Sequence, residues 1–331
     1  MAMTTQSLQA LLGQEPGLAW TGIFTDLWGR MSQPVSGDAA SEMVQRDKEI
    51  EGLDLVLSSA AWDLWHQFET CAPKTSTALM DFWTDTPGSK AVLVLDALSL
   101  REAPWILQEA PKRGFKVHSG RATASALPSD TTSFAKELGM SQRSVLTAGQ
   151  VVSLKLAGAA TALFAQPWLE CANTLPNHTD LFVWHDWPDS LMHDLSGPGP
   201  GLRQLAEDAK TVLTGDDFWA FVERLATGRR LIITADHGYA ASGQFSDVHD
   251  QGQKEYFQKT FGAERFAASA DKAASHWLPP VDLPLTTARG DYRFVLGRRA
   301  WSVQGGRKNL SHGGISLLEV AVPFIELSRA L

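Results

Sequence analysis

Three short apolar runs constrain this chain more than any other feature. Ala91-Val92-Leu93-Val94-Leu95 ends in Asp96, Leu181-Phe182-Val183-Trp184 runs into His185 and Asp186, and Leu231-Ile232-Ile233-Thr234-Ala235 runs into Asp236-His237-Gly238. Continuous apolar runs of this length read as strands buried on both faces. Helical stretches lie between them, notably Asp216 to Thr227 with Phe218, Trp219, Phe221, Val222 and Leu225, so the order is strand, helix, strand, helix. That order predicts an α/β fold, a mainly parallel central sheet with helices on both faces. Its ligand crevice is expected at the carboxyl ends of the strands, where the polar residues just named fall.

The 331 residues suffice for two domains or for one large domain with an appendage. Residues 1–87 read as a helical N-terminal appendage; over Ile50 to Phe68, Leu53, Leu55, Val56, Ala60, Leu64 and Trp65 share a helical face. Trp20, Trp28, Trp62, Trp65 and Trp83 read as packing residues, since large aromatics mainly supply buried area. The texture changes at Thr86-Pro87-Gly88-Ser89, and residues 88–331 form the predicted α/β domain. Within it, about 243–280 reads as a surface insertion that opens with polar residues and continues in a helical Ala/Lys stretch. Tyr292-Arg293-Phe294-Val295-Leu296 and Trp301-Ser302-Val303 read as a hairpin around Gly297-Arg298-Arg299.

Composition excludes several classes. With 37 acidic and 29 basic residues the net charge is −8, which argues against phosphate-backbone binding by the whole surface and leaves room for a local basic pocket. Two cysteines, Cys71 and Cys171, make neither a disulfide framework nor a thiolate metal cluster, so a reducing, cytoplasmic setting is expected. The opening Met1-Ala2-Met3-Thr4-Thr5 has no basic region and no apolar region of the secretory kind. The most apolar stretch, Leu156 to Leu169, contains Gln166 and Pro167 and is too short to span a bilayer, so no membrane insertion is expected.

The polar strand ends carry the chemistry. Asp189 and His193 are four positions apart and can face one ligand from a single helical turn. Asp236-His237-Gly238 adds adjacent ligands beside a glycine that permits close backbone approach, and Ser311-His312-Gly313-Gly314 adds a third imidazole. Taken singly, an Asp or His at a strand end reads as a cap or a hydrogen-bond partner. Together with Asp96 these residues make three Asp and three His in one crevice. Nitrogen and carboxylate oxygen without thiolate suit zinc, or manganese and related ions, and the set is large enough for two divalent metal ions. A metal pair can hold both the attacking and the leaving oxygen of an in-line phosphoryl displacement.

In order and spacing, Ala91 to Leu98, Val183 to His193, Ile233 to Gly238 and Ser311 to Pro323 resemble the metal-binding segments of the alkaline phosphatase superfamily, and in particular its PglZ domain. The stretch Arg293-Phe294-Val295-Leu296-Gly297-Arg298-Arg299, followed by His312-Gly313-Gly314-Ile315-Ser316-Leu317-Leu318-Glu319-Val320-Ala321-Val322-Pro323, resembles the tail of that domain; the likeness covers about Ser89 to the C-terminus. The resemblance implies one metal held by Asp189, His193 and His312, with Asp189 preferred over Asp186 by its offset to His193. It implies a second held by Asp96, Asp236 and His237. It also implies a nucleophile in Leu127-Pro128-Ser129-Asp130-Thr131-Thr132-Ser133-Phe134: Thr131, 35 residues after Asp96, with Thr132 the near alternative and Ser99 a distant one. The bland reading of Thr131 is a helix cap.

What the resemblance implies is a metal-dependent phosphoesterase, most readily a phosphodiesterase, with a phosphate-ester substrate such as a nucleotide or nucleic acid. It further implies a bacterial phage-defence setting of the BREX or Pgl type, with defence-system proteins as partners. Arg298, Arg299 and Arg307, with Lys308 and Asn309, are candidate donors to the substrate's non-bridging oxygens, against a reading as a solvated hairpin edge. Sulfatases carry a Cys-x-Pro-x-Arg segment; Cys71-Ala72-Pro73-Lys74-Thr75 lacks the arginine and precedes the first strand. The rival from another class is a non-catalytic scaffold of a defence complex that binds metal or nucleotide without turnover, a role that the Trp-rich N-terminal helices would suit.

Overall fold

The three apolar runs are adjacent parallel strands. In this computed structural model, which describes residues 5–197, 199, 201–242, 248–269, 271, 276–303 and 306–329 (without the side chains of 5–8 and 307), six strands form the main sheet: β1 (Lys90–Leu95), β2 (Phe115–Ala124), β3 (Ala160–Phe164), β4 (Leu181–His185), β5 (Arg230–Thr234) and β6 (Ala321–Arg329). Their order is β2-β6-β5-β1-β4-β3. β1 pairs in parallel with both β4 and β5, and β3 with β4, while β6 runs antiparallel to β5 and β2. The register places Leu95 beside His185 and Val94 beside Thr234, so the three runs end at one level.

Helices cover both faces, and side-chain alternation along the strands sorts the core into two layers. Leu93, Leu95, Val183, Leu231 and Ile233 enter one apolar cluster; Val92, Val94, Phe182, Trp184 and Ile232 enter the other. The N-terminal helices are α1 (Thr5–Leu12), α2 (Pro16–Met31), α3 (Ala39–Ala60), α4 (Trp62–His66), α5 (Phe68–Cys71) and α6 (Thr75–Asp85). The helix expected through Ile50 to Phe68 breaks at Ala61, whose φ of −127° and ψ of 43° are not helical. Next come α7 (Ala103–Lys112), α8 (Thr131–Glu137), α9 (Trp168–Thr174), α10 (Asp189–Asp194), α11 (Leu202–Thr214) and α12 (Asp216–Ala226). Trp20, Phe24, Leu57 and Trp65 share the first cluster with α7, α11 and α12, whereas α6 and α8 belong to the second. The N-terminal tryptophans therefore pack, and Trp28 lies so close to β2 that a Cβ on Gly120 would sit 2.4 Å from its ring.

Two expectations change in the region after β5. Phe266–Ala268, within the expected Ala/Lys helix, is a strand, and it joins Asp282–Thr287 and Gly290–Val295 in a separate three-stranded antiparallel sheet. Ala270 and residues 272–275 of that stretch lie outside the described residues, and a helix forms earlier, over Gln251–Phe261. Nor does Gly297-Arg298-Arg299 turn a hairpin: Gly290–Val295 pairs with Asp282–Thr287, and Ser302–Val303 pairs with Gly306–Arg307.

Buried charge accounts for the second change. Asp47 and Asp54, two turns apart on α3, point into the molecule. Arg101 donates from Nε and Nη2 to Asp47 Oδ1 at 3.1 and 2.8 Å. Arg298 Nη1 lies 2.9 Å from Asp47 Oδ2 and its Nε donates to Asp54 Oδ2 at 2.6 Å, so the turn is drawn inward. Asp54 Oδ1 accepts the Leu317 amide at 2.7 Å. Two guanidinium groups thus face two carboxylates with every residue buried, an arrangement whose desolvation cost is offset only while both signs are present.

Beside this group, Glu102 accepts the Tyr239 hydroxyl at 2.6 Å and the Ser99 amide at 2.8 Å. Burial pushes its carboxyl up to about 7. The folded state therefore keeps a proton that the unfolded chain releases, so the contribution is complete below the ordinary carboxyl value and is lost as pH rises toward 7.

Two outcomes are expected. Arg298→Met strands the buried Asp54 carboxylate and leaves Asp47 to Arg101 alone, and should lower urea-unfolding stability by about 3–5 kcal/mol; a loss below about 1 kcal/mol would show that the pairs are not what holds the turn. Between pH 4.5 and 7 the wild type should lose up to about 3 kcal/mol more stability than Glu102→Gln does, and parallel pH profiles would contradict the raised carboxyl.

Candidate metal centre

Each ligand is placed by a strand end. The Asp96 amide donates to His185 O at 2.9 Å and the Asp189 amide to Asp96 O at 3.0 Å, which ties the loop after β4 to the loop after β1. Ala97, with φ of 62°, takes a left-handed conformation uncommon for a residue with a Cβ, and its amide donates to Asp236 Oδ1 at 3.0 Å. Gly238 has the role its small size suggests: a Cβ there would lie 2.2 Å from Leu318 O. Its amide donates to Glu319 O at 2.8 Å, which links the His237 loop to the segment after His312.

The six expected ligands converge. Asp96, Asp236 and His237 offer ligand atoms within 4.8 Å of one another, and so do Asp189, His237 and His312. His193 Nε2 lies 3.4 Å from both Asp189 Oδ1 and His312 Nε2, at the more exposed rim. The His237 and His312 rings stack, with centroids 4.1 Å apart and planes 18° from parallel. His237 Nδ1 meets Gly238 O at 2.9 Å and His312 Nδ1 meets Ser129 O at 3.2 Å. A carbonyl partner requires Nδ1 to carry the hydrogen, which leaves each Nε2 lone pair for the cluster.

Electrostatics agree with a cation-binding role. Burial, reinforced by the neighbouring His237, drives His312 down to about 3 and keeps it neutral. Burial opposes ionisation of Asp189, yet the hydrogen bond from His193 and the nearby imidazoles outweigh it and bring the carboxyl down to about 2. Asp236 is raised, chiefly by burial. Asp236 Oδ2 and His237 Nε2 are buried atoms with no hydrogen-bond partner. Leaving such atoms unsatisfied is costly, and a divalent ion among them is the direct remedy; the nitrogen and oxygen donor set fits zinc or manganese.

Thr131 stands at the centre. Its Oγ1 donates to Asp96 Oδ1 at 3.3 Å. It is the first residue of α8, and the cap is Asp130, whose carboxylate accepts the Ser133 amide at 2.7 Å; the cap reading thus belongs to its neighbour. Of the alternatives, Ser99 is buried against Arg101, 3.1 Å from Nη1, and Thr132 has no hydrogen bond to the cluster among the described residues. Asp186 instead faces His185, Oδ1 3.3 Å from Nδ1.

The expected substrate donors are placed differently. Arg298 is buried and paired with Asp47 and Asp54. Arg299 contacts Leu296 O, and burial beside Arg265 lowers it to about 10. The Arg307 side chain lies outside the described residues, and Asn309 is bonded to Ser196 O and Gly197 O. Among the described residues, the guanidinium that does reach the cluster is Arg143, in a short 3-10 helix (Arg143–Ala148), paired with Asp96 Oδ2. Trp184 Nε1 donates to the same oxygen at 3.2 Å. Arg143 lies in no motif that spacing would flag, and Trp184 falls within a flagged segment but as one more apolar residue of its strand. Glu319 was within the tail segment: its Oε1 accepts the Gly314 amide at 2.9 Å and Arg265 Nε at 2.7 Å, fixing the His312 loop.

No family model matches the chain. The alkaline phosphatase-like protein PglZ of Bacillus cereus is 25% identical over 119 residues, which are 34% of this chain and 14% of that protein. Murine ectonucleotide pyrophosphatase/phosphodiesterase 5 aligns over 72% of this chain and 87% of its own with a TM-score of 0.40 and 11% identity. Its inactive form in complex with AMP aligns over 72% and 88% with a TM-score of 0.43 and 12% identity. The sequence similarity is thus to one segment of an alkaline phosphatase-like PglZ protein, and this chain spans only a small part of that relative's length.

Proposed function

We propose that this chain hydrolyses phosphate esters, with a preference for phosphodiesters, and that Thr131 is its nucleophile. The observation that carries the reading is Thr131 Oγ1 at 3.3 Å from Asp96 Oδ1, beside two overlapping ligand groups that contain unsatisfied buried atoms. Asp96, Asp236 and His237 would hold one divalent ion and Asp189, His193 and His312 the other. Such ions, when bound, supply positive charge that favours the threonine alkoxide and offsets charge on the phosphate.

The chain's own residues supply the rest. Asp96 accepts the Thr131 hydroxyl and so orients its oxygen toward the crevice. The oxygen forms a bond to phosphorus while the ester bond to the leaving group breaks, giving a phosphothreonine that water then cleaves. Arg143 takes the part expected of Arg298 and Arg299: its guanidinium, already at the cluster, can donate two hydrogen bonds to a phosphoryl group. Ser129 and Gly238, through their carbonyls, keep the imidazoles in the ligand tautomer.

Mass spectrometry of purified protein should find two divalent ions per chain, and Asp236→Ala should retain about one with the fold intact. Two ions in that variant would remove the assignment. With bis(nitrophenyl) phosphate as substrate, Thr131→Ala should lose about a thousandfold in kcat and Arg143→Ala about a hundredfold. An active Thr131→Ala sinks the nucleophile. A wild type that holds two ions and cleaves neither this diester nor a nitrophenyl monoester would favour the scaffold reading.

A further inference from the structure

Three consecutive residues at the entry to α8 are each held by a different part of the chain. Ser129 Oγ accepts the Gly313 amide at 3.1 Å and donates to Gly314 O at 2.9 Å, and its carbonyl meets His312 Nδ1. Thr131 reaches Asp96. Asp130, between them, is held by Arg289, whose Nη1 donates to Oδ1 at 3.1 Å, to Oδ2 at 2.9 Å and to Ser133 Oγ at 2.9 Å. The same carboxylate accepts the Ser133 amide, so one ion pair fixes the cap of α8 and the residue next to Thr131.

Arg289 belongs to another part of the fold. It sits in the turn between Asp282–Thr287 and Gly290–Val295 of the three-stranded sheet, and its amide donates to Thr287 Oγ1 at 3.1 Å. Its guanidinium lies 5.6 Å from the centroid of the Tyr292 ring, which in turn lies 5.7 Å from that of Phe266. Phe266 rests on the last ligand loop: a Cβ on Gly313 would be 2.6 Å from its ring. A row of three side chains, Phe266, Tyr292 and Arg289, thus joins the small sheet to the His312 loop at one end and to the Thr131 loop at the other. The Arg289 and Asp130 side chains are only 18% and 14% exposed, so salt screens their attraction less than at an open surface.

We propose that Arg289 is a positioning residue for Thr131: through Asp130 it fixes the entry of α8 so that Thr131 Oγ1 stays on Asp96. The small sheet then takes part in the reaction by holding the nucleophile, not by binding substrate. The inference rests on the phosphoesterase reading and names the element that sets its nucleophile.

All three contacts come from Nη1, so a lysine ammonium with its three donors can supply them and an uncharged side chain cannot. With bis(nitrophenyl) phosphate as substrate, Arg289→Met should lose on the order of a hundredfold in kcat with KM changed by less than about twofold, and it should keep its two ions. Arg289→Lys should recover most of the loss. Asp130→Asn should fall by a similar factor, and Asp130→Asn/Arg289→Met should fall no further, because the pair acts as one unit. A kcat that Arg289→Met keeps, a loss that appears in KM, a loss that lysine does not recover, or losses that multiply in the double variant would overturn the proposal. Hydrogen exchange of the amides of α8 reads the same pair without chemistry: exchange should be about tenfold faster in Arg289→Met and close to wild type in Arg289→Lys. If the wild type cleaves neither this diester nor a nitrophenyl monoester, the phosphoesterase reading falls and exchange alone decides. Faster exchange confined to α8 and its entry then keeps Arg289 as the residue that sets Thr131; exchange unchanged, or raised throughout the chain, removes it.

Discussion

Everything at the site depends on the parallel pairing of β1 with both β4 and β5. In a parallel ladder the strands end together, so the residues that follow them meet on one rim. Leu95 sits beside His185 and Val94 beside Thr234, and the chain then leaves the sheet at Asp96, at the turn leading to Asp189, and at Asp236. A slip of one residue in either pairing would turn a ligand carboxylate to the opposite face and bring an apolar side chain into the crevice. The apolar runs that fill both layers of the core therefore also set the position of the ligands.

A second layer of order comes from charge. Asp47 and Asp54 on α3 hold Arg101, just beyond the first ligand, and Arg298, before the last; Asp54 also holds the Leu317 amide. Arg101 in turn donates to Tyr239 O, two residues past His237. The N-terminal helices thus grip three loops that carry ligands. A buried set of this kind adds little net stability over apolar packing of the same volume, but it defines one arrangement and penalises others, because any shift leaves a charge unpaired. Strain at Ala97 is tolerated in the same setting, since its amide is held by Asp236.

The sheet, the helix at Asp216–Ala226 and the gathering of the candidate ligand residues were legible because each is marked locally, by an apolar run or by ligand-type residues at a turn. Arg298 was misread as a hairpin edge for a physical reason: a charged residue after a glycine ordinarily faces water, and the carboxylates that bury it lie 244 and 251 positions away. Arg143 and Trp184 reach Asp96 only through the tertiary fold, from a 3-10 turn and from the middle of an apolar strand, where no spacing distinguishes them. The stretch around Phe266–Ala268 has a composition that suits a helix, yet it pairs with Tyr292 to Phe294 because an open strand edge was there to be satisfied.

By itself the sequence determined which segments are buried strands, which polar residues end them, and hence that carboxylates and imidazoles able to hold a cation gather at one rim. Those properties follow from local periodicity and side-chain chemistry. Only the tertiary structure decided which arginine meets Asp96, that Asp130 and not Thr131 caps α8, and that Arg298 serves the core. These depend on contacts between residues far apart in the chain, where the cost of leaving a buried charge unpaired selects the partner, and no local pattern records that choice.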